Sequence, residues 1–277
     1  MKFKINRAFF GYALAGAAML LFFLYLRFPG DAIRDYIKAS AAASCPDMLL
    51  MIDAVEPAIP PGITLENLTA VFRGRPEATI RANRLSIAPG WLSMLRGRVS
   101  FLATADVYGG EIRGRGAFSE AFSLRGPFSA AAEFKWISIE KCAWLQNLFS
   151  RKLSGTLKGA VSFNGARGSL KNGSGNLDLT LTNGTYQLLG SFFGIDQIIF
   201  NSVDLKVDLR NGALRIAGLT VNGEKLRVTL KGNILLADDF KNSRVDLSGS
   251  VELQGQGGKR TPITIGGVMG NPTIKLM

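Results

Sequence analysis

Few residues of this chain have the types and spacing that chemistry requires. Gly255-Gln256-Gly257-Gly258-Lys259-Arg260 is glycine-rich and basic, the composition of a loop that could cradle phosphate. That mechanism needs a strand running into a helix and a Gly-Lys-Ser/Thr ending. Both are missing here, so a flexible hairpin loop is expected. Asp238-Asp239 are adjacent carboxylates, but sequence neighbours point apart, whereas an acid–base pair must face across a substrate; a turn is expected there. The 277 residues include no histidine, which removes the commonest general base and metal ligand near neutral pH. Serines and lysines near turns have no base beside them. No catalytic residue, metal ligand or cofactor-binding residue is assigned, and no enzyme activity is expected. Cys45 and Cys142 form a candidate disulfide if the chain lies in an oxidising compartment; the alternative is two small buried hydrophobes. Asn67-Leu68-Thr69, Asn172-Gly173-Ser174 and Asn183-Gly184-Thr185 match the glycosylation acceptor pattern, which matters only in a eukaryotic secretory pathway.

What the sequence does specify is a set of two-faced strands. Leu177, Leu179 and Leu181 alternate with Asp178 and Thr180. Val203, Leu205 and Val207 alternate with Asp204, Lys206 and Asp208. Leu226, Val228 and Leu230 alternate with Arg227 and Thr229, and Val245 and Leu247 with Asp246 and Ser248. A period of two sends the apolar side chains to one face and the charged ones to the other, as in an antiparallel sheet with one wet face. Those eleven apolar residues are the candidate groove. Their dry face must meet the sheet's own far side, which is the expectation, or an acyl chain, which is the alternative. A methylene buried there would contribute about 0.8 kcal/mol.

The fold class expected is mainly β: one N-terminal transmembrane helix, then a curved, largely antiparallel sheet with a few short helices. Residues 1–28 read as cytoplasmic tip and signal-anchor, because Ala8 to Leu26 carries no charge and Lys2, Lys4 and Arg7 precede it. The uncharged run outlasts a signal-peptide core, so cleavage is not expected. A lipoprotein site at Cys45 lies too far beyond that run. Residues 29–54 form a linker with an amphipathic helix over Asp31 to Ala43, its Ile33, Tyr36 and Ile37 on one face, lying at the membrane surface or plugging the end of the sheet. Residues 55–277 are the β-rich domain, with a weak internal repeat of about 55–150 and 151–277. Further expectations are a bulge at Glu66-Asn67 and one helical turn from Trp91 to Leu95. A hairpin is expected at Tyr108-Gly109-Gly110, a strand over Ala130, Ala132, Phe134 and Trp136, and a helix from Ile139 to Phe149 capped by Ser138. An interruption is expected at Gln187 to Asp196, with hairpin turns at Asn183-Gly184, Asn211-Gly212 and Asn222-Gly223. The net charge of +12 is dispersed among acids on the strand faces, with no basic block interleaved with aromatics, so nucleic acid is not an expected partner. A membrane β-barrel would show an aromatic girdle, and the polar faces carry Lys, Arg and Asp instead.

The order of short motifs resembles the type II secretion system protein N family and, more widely, the AsmA-like envelope proteins. The run Pro60-Pro61-Gly62-Ile63-Thr64-Leu65-Glu66-Asn67-Leu68 is followed by Tyr108-Gly109-Gly110-Glu111-Ile112 and by Leu153-Ser154-Gly155-Thr156-Leu157-Lys158-Gly159. Then come Gly173-Ser174-Gly175-Asn176-Leu177, Leu230-Lys231-Gly232-Asn233-Ile234-Leu235-Leu236 and Gly266-Gly267-Val268-Met269-Gly270-Asn271-Pro272. Gly267-Val268 stands where the family has Gly-Thr. The resemblance implies a bacterial inner-membrane protein with a periplasmic sheet, accessory to the machine that exports folded proteins. Its expected partners are other secretion-system envelope proteins and inner-membrane lipids. AsmA-like relatives imply the alternative, a curved sheet whose apolar groove serves phospholipid traffic.

Overall fold

The structure is a computed structural model that describes residues 7–59, 61–73, 75–121, 127–143, 146, 152–166, 172–192, 195–237, 239, 242–254 and 260–276. Helix α1 (Arg7–Leu26) comes first, then α2 (Gly30–Ser44). The strands follow: β1 (Met48–Met51), β2 (Ala54–Ala58), β3 (Gly62–Phe72), β4 (Arg75–Pro89), the short α3 (Trp91–Met94), β5 (Arg98–Val107), β6 (Gly110–Ala121) and β7 (Pro127–Ser138). After a 3-10 turn at Ile139–Lys141 come β8 (Thr156–Ala166), β9 (Ser174–Phe192), β10 (Ile195–Arg210), β11 (Ala213–Gly223), β12 (Leu226–Leu235), β13 (Arg244–Leu253), β14 (Arg260–Val268) and β15 (Asn271–Leu276).

All fifteen strands join one antiparallel sheet, and from β3 onward each pairs with the next in sequence. β1 and β2 share the outer edge of β3, and β15 pairs with β14 alone, so among the described residues the sheet is open rather than a closed barrel. β7 and β8 pair from Pro127↔Ala166 to Ser138↔Thr156, which welds the two sequence halves into a single sheet. Cross-strand ladders stabilise such a sheet rung by rung. On the wet face the rungs are polar: Lys206 pairs with Asp178 at 3.4 Å, and Arg260 with Glu252 at 3.2 Å. Asn176 donates to Asp208 and Thr180 to Asp204, each at 2.9 Å.

Two turns fold as their sequences dictate. Tyr108 (φ +50°) with Gly109 (φ +78°) closes β5 onto β6, and Asn211 (φ +49°) with Gly212 (φ +74°) closes β10 onto β11. Two left-handed residues in succession make the type I′ turn that matches strand twist. The other two Asn-Gly pairs are not turns. Asn183 (φ +52°) kinks the middle of β9, and Asn222 pairs with Arg227 inside the β11–β12 ladder, leaving Glu224-Lys225 as the turn. A left-handed asparagine serves a bulge as readily as a hairpin.

Other expectations also need correction. β9 and β10 extend through most of 187–196, with only 193–194 outside the described residues. Asn67 is left-handed (φ +49°), yet the β3–β4 register runs through it and shifts at Ala70/Phe72. In β7 the register breaks between Phe134 and Ile137, so Trp136 (φ +59°) swings outward to 61% exposure while Ile137 is buried. Lys158 covers the Trp136 ring, its Nζ 3.1 Å from the centroid. Ser138 makes no capping bond to backbone; its hydroxyl donates to the Glu140 carboxylate at 3.0 Å. Of the helix expected from Ile139, the first turn is 3-10, and residues 144, 145 and 147–149 lie outside the described residues. The same holds for 255–259 of the glycine-rich loop and for Asp238. The Asp239 carbonyl accepts from the Asn242 N–H at 2.9 Å, as a turn requires.

α2 plugs the sheet edge rather than floating free. Phe28, Ile33 and Ile37 pack on Ile52, Val55 and Leu65, while Tyr36 points outward at 72% exposure. α1 behaves differently. Every described side chain from position 11 to 26 is exposed, over more than half the circumference at 3.6 residues per turn. The whole chain exposes 18589 Å², against about 11,600 Å² for a compact monomer of its mass. The exposed α1 contributes to that excess.

Candidate functional site

The eleven candidate groove residues do share one face. The ladders set Leu177 opposite Val207, Leu179 opposite Leu205 and Leu181 opposite Val203. Val228 stands opposite Val251, Leu230 opposite Gly249, Leu226 opposite Leu253, and Leu247 opposite Gly232. Leu219 of β11 bridges the two groups, opposite Leu205 on one side and Leu230 on the other.

That face has two characters. Across β11–β14 it is closed: Leu226 is buried, Leu230 clusters with Val251 and Ile263, and Val245 and Leu247 cluster with Ile216 and Ile234. Val207 and Val228 pack on these from the margin. Across β8–β11 the face is half-buried and encloses a pocket of about 480 Å³. Of the candidates, Leu179, Leu181, Val203 and Leu205 line it. Leu177 continues the face beside them.

The rest of the lining was not foreseen. Tyr186, Ile198 and Phe200 join it because the chain kinks at Asn183 and the β10–β11 register slips between Phe200 and Ser202. Each irregularity inverts the period-two alternation, so residues of the opposite parity reach the same face. Phe200 is only 3% exposed, and it sits over Gly184, directly across the ladder. A Cβ on Gly184 would lie 2.5 Å from Phe200 Cζ and 2.1 Å from the Ser154 carbonyl oxygen. Phe101 lies over Gly116 in the same way.

One end of the pocket is formed by Ile139 and Leu153, which arrive from the β7–β8 connection. Gln146 holds them together. Its side-chain amide donates to the Ile139 carbonyl at 3.1 Å and to the Leu153 carbonyl, and its oxygen accepts from the Leu153 N–H at 3.0 Å. Nothing in the sequence pattern marks this clamp, because its partners lie seven residues away on either side.

Among the described lining residues none is charged, and Tyr186 alone brings a hydroxyl. What the pocket can do is exclude water from an apolar group. Two further depressions, of about 730 and 410 Å³, mix apolar and polar residues: Trp91, Leu92 and Leu102 line the first beside Arg115 and Ser162, and Leu102 and Val161 line the second beside Arg113, Glu133 and Asp178. Among the described residues no group of three or more His, Cys, Asp or Glu could hold a metal ion.

The cysteines are not bridged. Cys45 is exposed just past the end of α2, while Cys142 is buried beside the β7 terminus, and both thiols are free. The Tyr108 hydroxyl, next to Cys142, is pushed above its usual range, chiefly by burial; its oxygen accepts the Arg81 N–H at 3.2 Å. Arg113 donates to Glu111 at 2.8 Å and holds that half-buried carboxyl below its usual range.

No family model, curated protein or solved structure matches the chain. The described α1 is a helix of 20 residues, and counted over the described residues alone no helix is long and apolar enough to cross a membrane.

Proposed function

We propose that this chain is a non-enzymatic, inner-membrane-anchored periplasmic component of the type II secretion system, acting through protein–protein contacts of its sheet. The observation that carries the reading is the architecture itself: a helix uncharged from Ala8 to Leu26 whose described side chains from position 11 on are exposed, followed by one antiparallel sheet that is open among the described residues. The full sequence from Ala8 to Leu26 holds no charged residue, and a 20-residue helix reaches about 30 Å, the thickness of the hydrocarbon core. Lys2, Lys4 and Arg7 would keep its N-terminus in the cytoplasm. The motif order supports the secretion assignment within that architecture, and the AsmA-like resemblance supports a groove on the sheet's dry side. If deletion leaves secreted enzymes at normal levels outside the cell, and no secretion component crosslinks to the chain, the assignment fails.

The apolar pocket over β8–β11 favours a second reading, a lipid-binding or lipid-transfer module of the cell envelope. The lining is long, dry and half-open, as an acyl chain requires. Chain purified from membranes would then retain lipid through extensive washing, and Leu181→Asp with Leu205→Asp would abolish retention. A washed chain free of lipid, with no uptake of fluorescent fatty-acid analogues, removes this reading and leaves the first intact.

A further inference from the structure

The connection between β4 and β5 carries hydrophobic residues that neither the core nor the apolar pocket over β8–β11 uses; Trp91 and Leu92 border the 730 Å³ depression. Leu92 is 77% and Leu95 85% exposed, with Trp91 and Met94 beside them also exposed. Ile59, 87% exposed, stands at the same end of the sheet. Gly62, three residues after it, runs so close to β4 that a Cβ there would lie 3.0 Å from Ala88 Cα, and Ala88 is three residues before Trp91. Arg96 and Arg98 follow directly, both exposed and without an ion pair among the described residues.

α1 joins the domain on this side. Phe28 packs with Val55 and Leu65, and a Cβ on Gly30 would lie 2.4 Å from the Val55 carbonyl oxygen. Val55 is four residues from Ile59, about 13 Å of extended chain. α2 then leads away toward the opposite end of the strands, where the Asp47 carbonyl accepts the Arg73 N–H at 2.7 Å.

We infer that Ile59, Trp91, Leu92 and Leu95, flanked by Arg96 and Arg98, seat this end of the sheet on the lipid surface from which α1 emerges. The inference rests on the reading of α1 as a membrane anchor. Tryptophan and leucine settle at the boundary between headgroups and acyl chains, and arginine meets lipid phosphate. A tether of a few residues holds the patch at the bilayer, where a protein partner would have to displace lipid to reach it. The seat fixes the orientation of the sheet, which a single flexible tether would leave free.

The test uses the full chain with Cys45→Ser and Cys142→Ala, carrying a single cysteine at Leu92, Leu95 or Ile274. Ile274 is 57% exposed on the far edge strand and serves as the reference. Each is labelled with an environment-sensitive fluorophore and reconstituted into phosphatidylethanolamine–phosphatidylglycerol vesicles. Labels at 92 and 95 should shift to the blue and be quenched by nitroxides near the lipid headgroup, while the label at 274 is not. Arg96→Glu with Arg98→Glu should reduce the quenching. As a control without cysteine changes, Trp136→Phe with Trp144→Phe leaves Trp91 as the sole tryptophan, to be quenched by brominated lipid. Labels at 92 and 95 that behave like the one at 274, in a chain that resists alkaline carbonate extraction, overturn the seat and leave the anchor standing. A blue shift without lipid quenching means a protein occupant and also overturns it. Release of the chain by carbonate overturns the anchor and the seat together.

Discussion

Replacing Gly184 by alanine tests whether the pocket floor is built as described. Its missing Cβ leaves room for two neighbours, the Phe200 ring at 2.5 Å and the Ser154 carbonyl oxygen at 2.1 Å. Overpacking of this kind costs about 1–3 kcal/mol. Phe200→Ala, at a position 3% exposed, should cost about 3–5 kcal/mol. The two changes share a contact, so they should not add. Once the ring is gone, only the Ser154 clash remains, and Gly184→Ala should lose on the order of 1 kcal/mol of its cost, within the range of coupling energies measured for residues in contact. The assay is urea unfolding of the full chain in mild detergent, followed by tryptophan fluorescence for wild type, both single variants and the double variant. Costs that add to within about 0.5 kcal/mol would show that the glycine does not make room for the ring.

Three further outcomes are expected. Gln146→Leu removes the clamp between Ile139 and Leu153 and leaves backbone groups unpaired, so it should cost about 1–3 kcal/mol and raise proteolysis within 139–153, read by limited digestion. Tyr108 is held above its usual pKa of about 10 by burial, so its contribution to stability is complete below pH 10 and is lost as pH rises above it; Tyr108→Phe should flatten the alkaline fall in a pH series of unfolding midpoints. Maleimide should modify Cys45 in the folded chain but Cys142 only after denaturation, and prior reduction should leave the mass unchanged.

The strands and their faces were legible because a period of two leaves a plain record in sequence, as in Val203-Asp204-Leu205-Lys206-Val207. The break in that record was not. Asn183-Gly184 has the composition of a hairpin turn, and only pairing with β10 shows the strand continuing through it. With that misreading, Tyr186, Ile198 and Phe200 fell outside the candidate site. The outward turn of Trp136 escapes the pattern too, since alternation counted from Phe134 cannot see a bulge. Leu226, Leu230, Val245 and Leu247 were placed on the correct face, but whether a residue on that face is sealed or open depends on neighbours several strands away. The disulfide was a guess about distance, which two isolated cysteines do not encode.

From β3 to β15 every strand finds its partner in the piece of chain made just before it. Such a sheet has no late strand to insert between earlier ones, and its longest connection, residues 139–155, still joins strands adjacent in sequence, so its ordering can proceed from one end. As in repeat arrays, stability becomes nearly a sum over neighbouring rungs. A chain emerging N-terminus first can therefore zip as it appears, each new strand templated on the exposed edge of the last. The growing edge is always adhesive until the next strand arrives; among the described strands β15 carries that edge, and its Pro272 and Lys275 blunt it against addition.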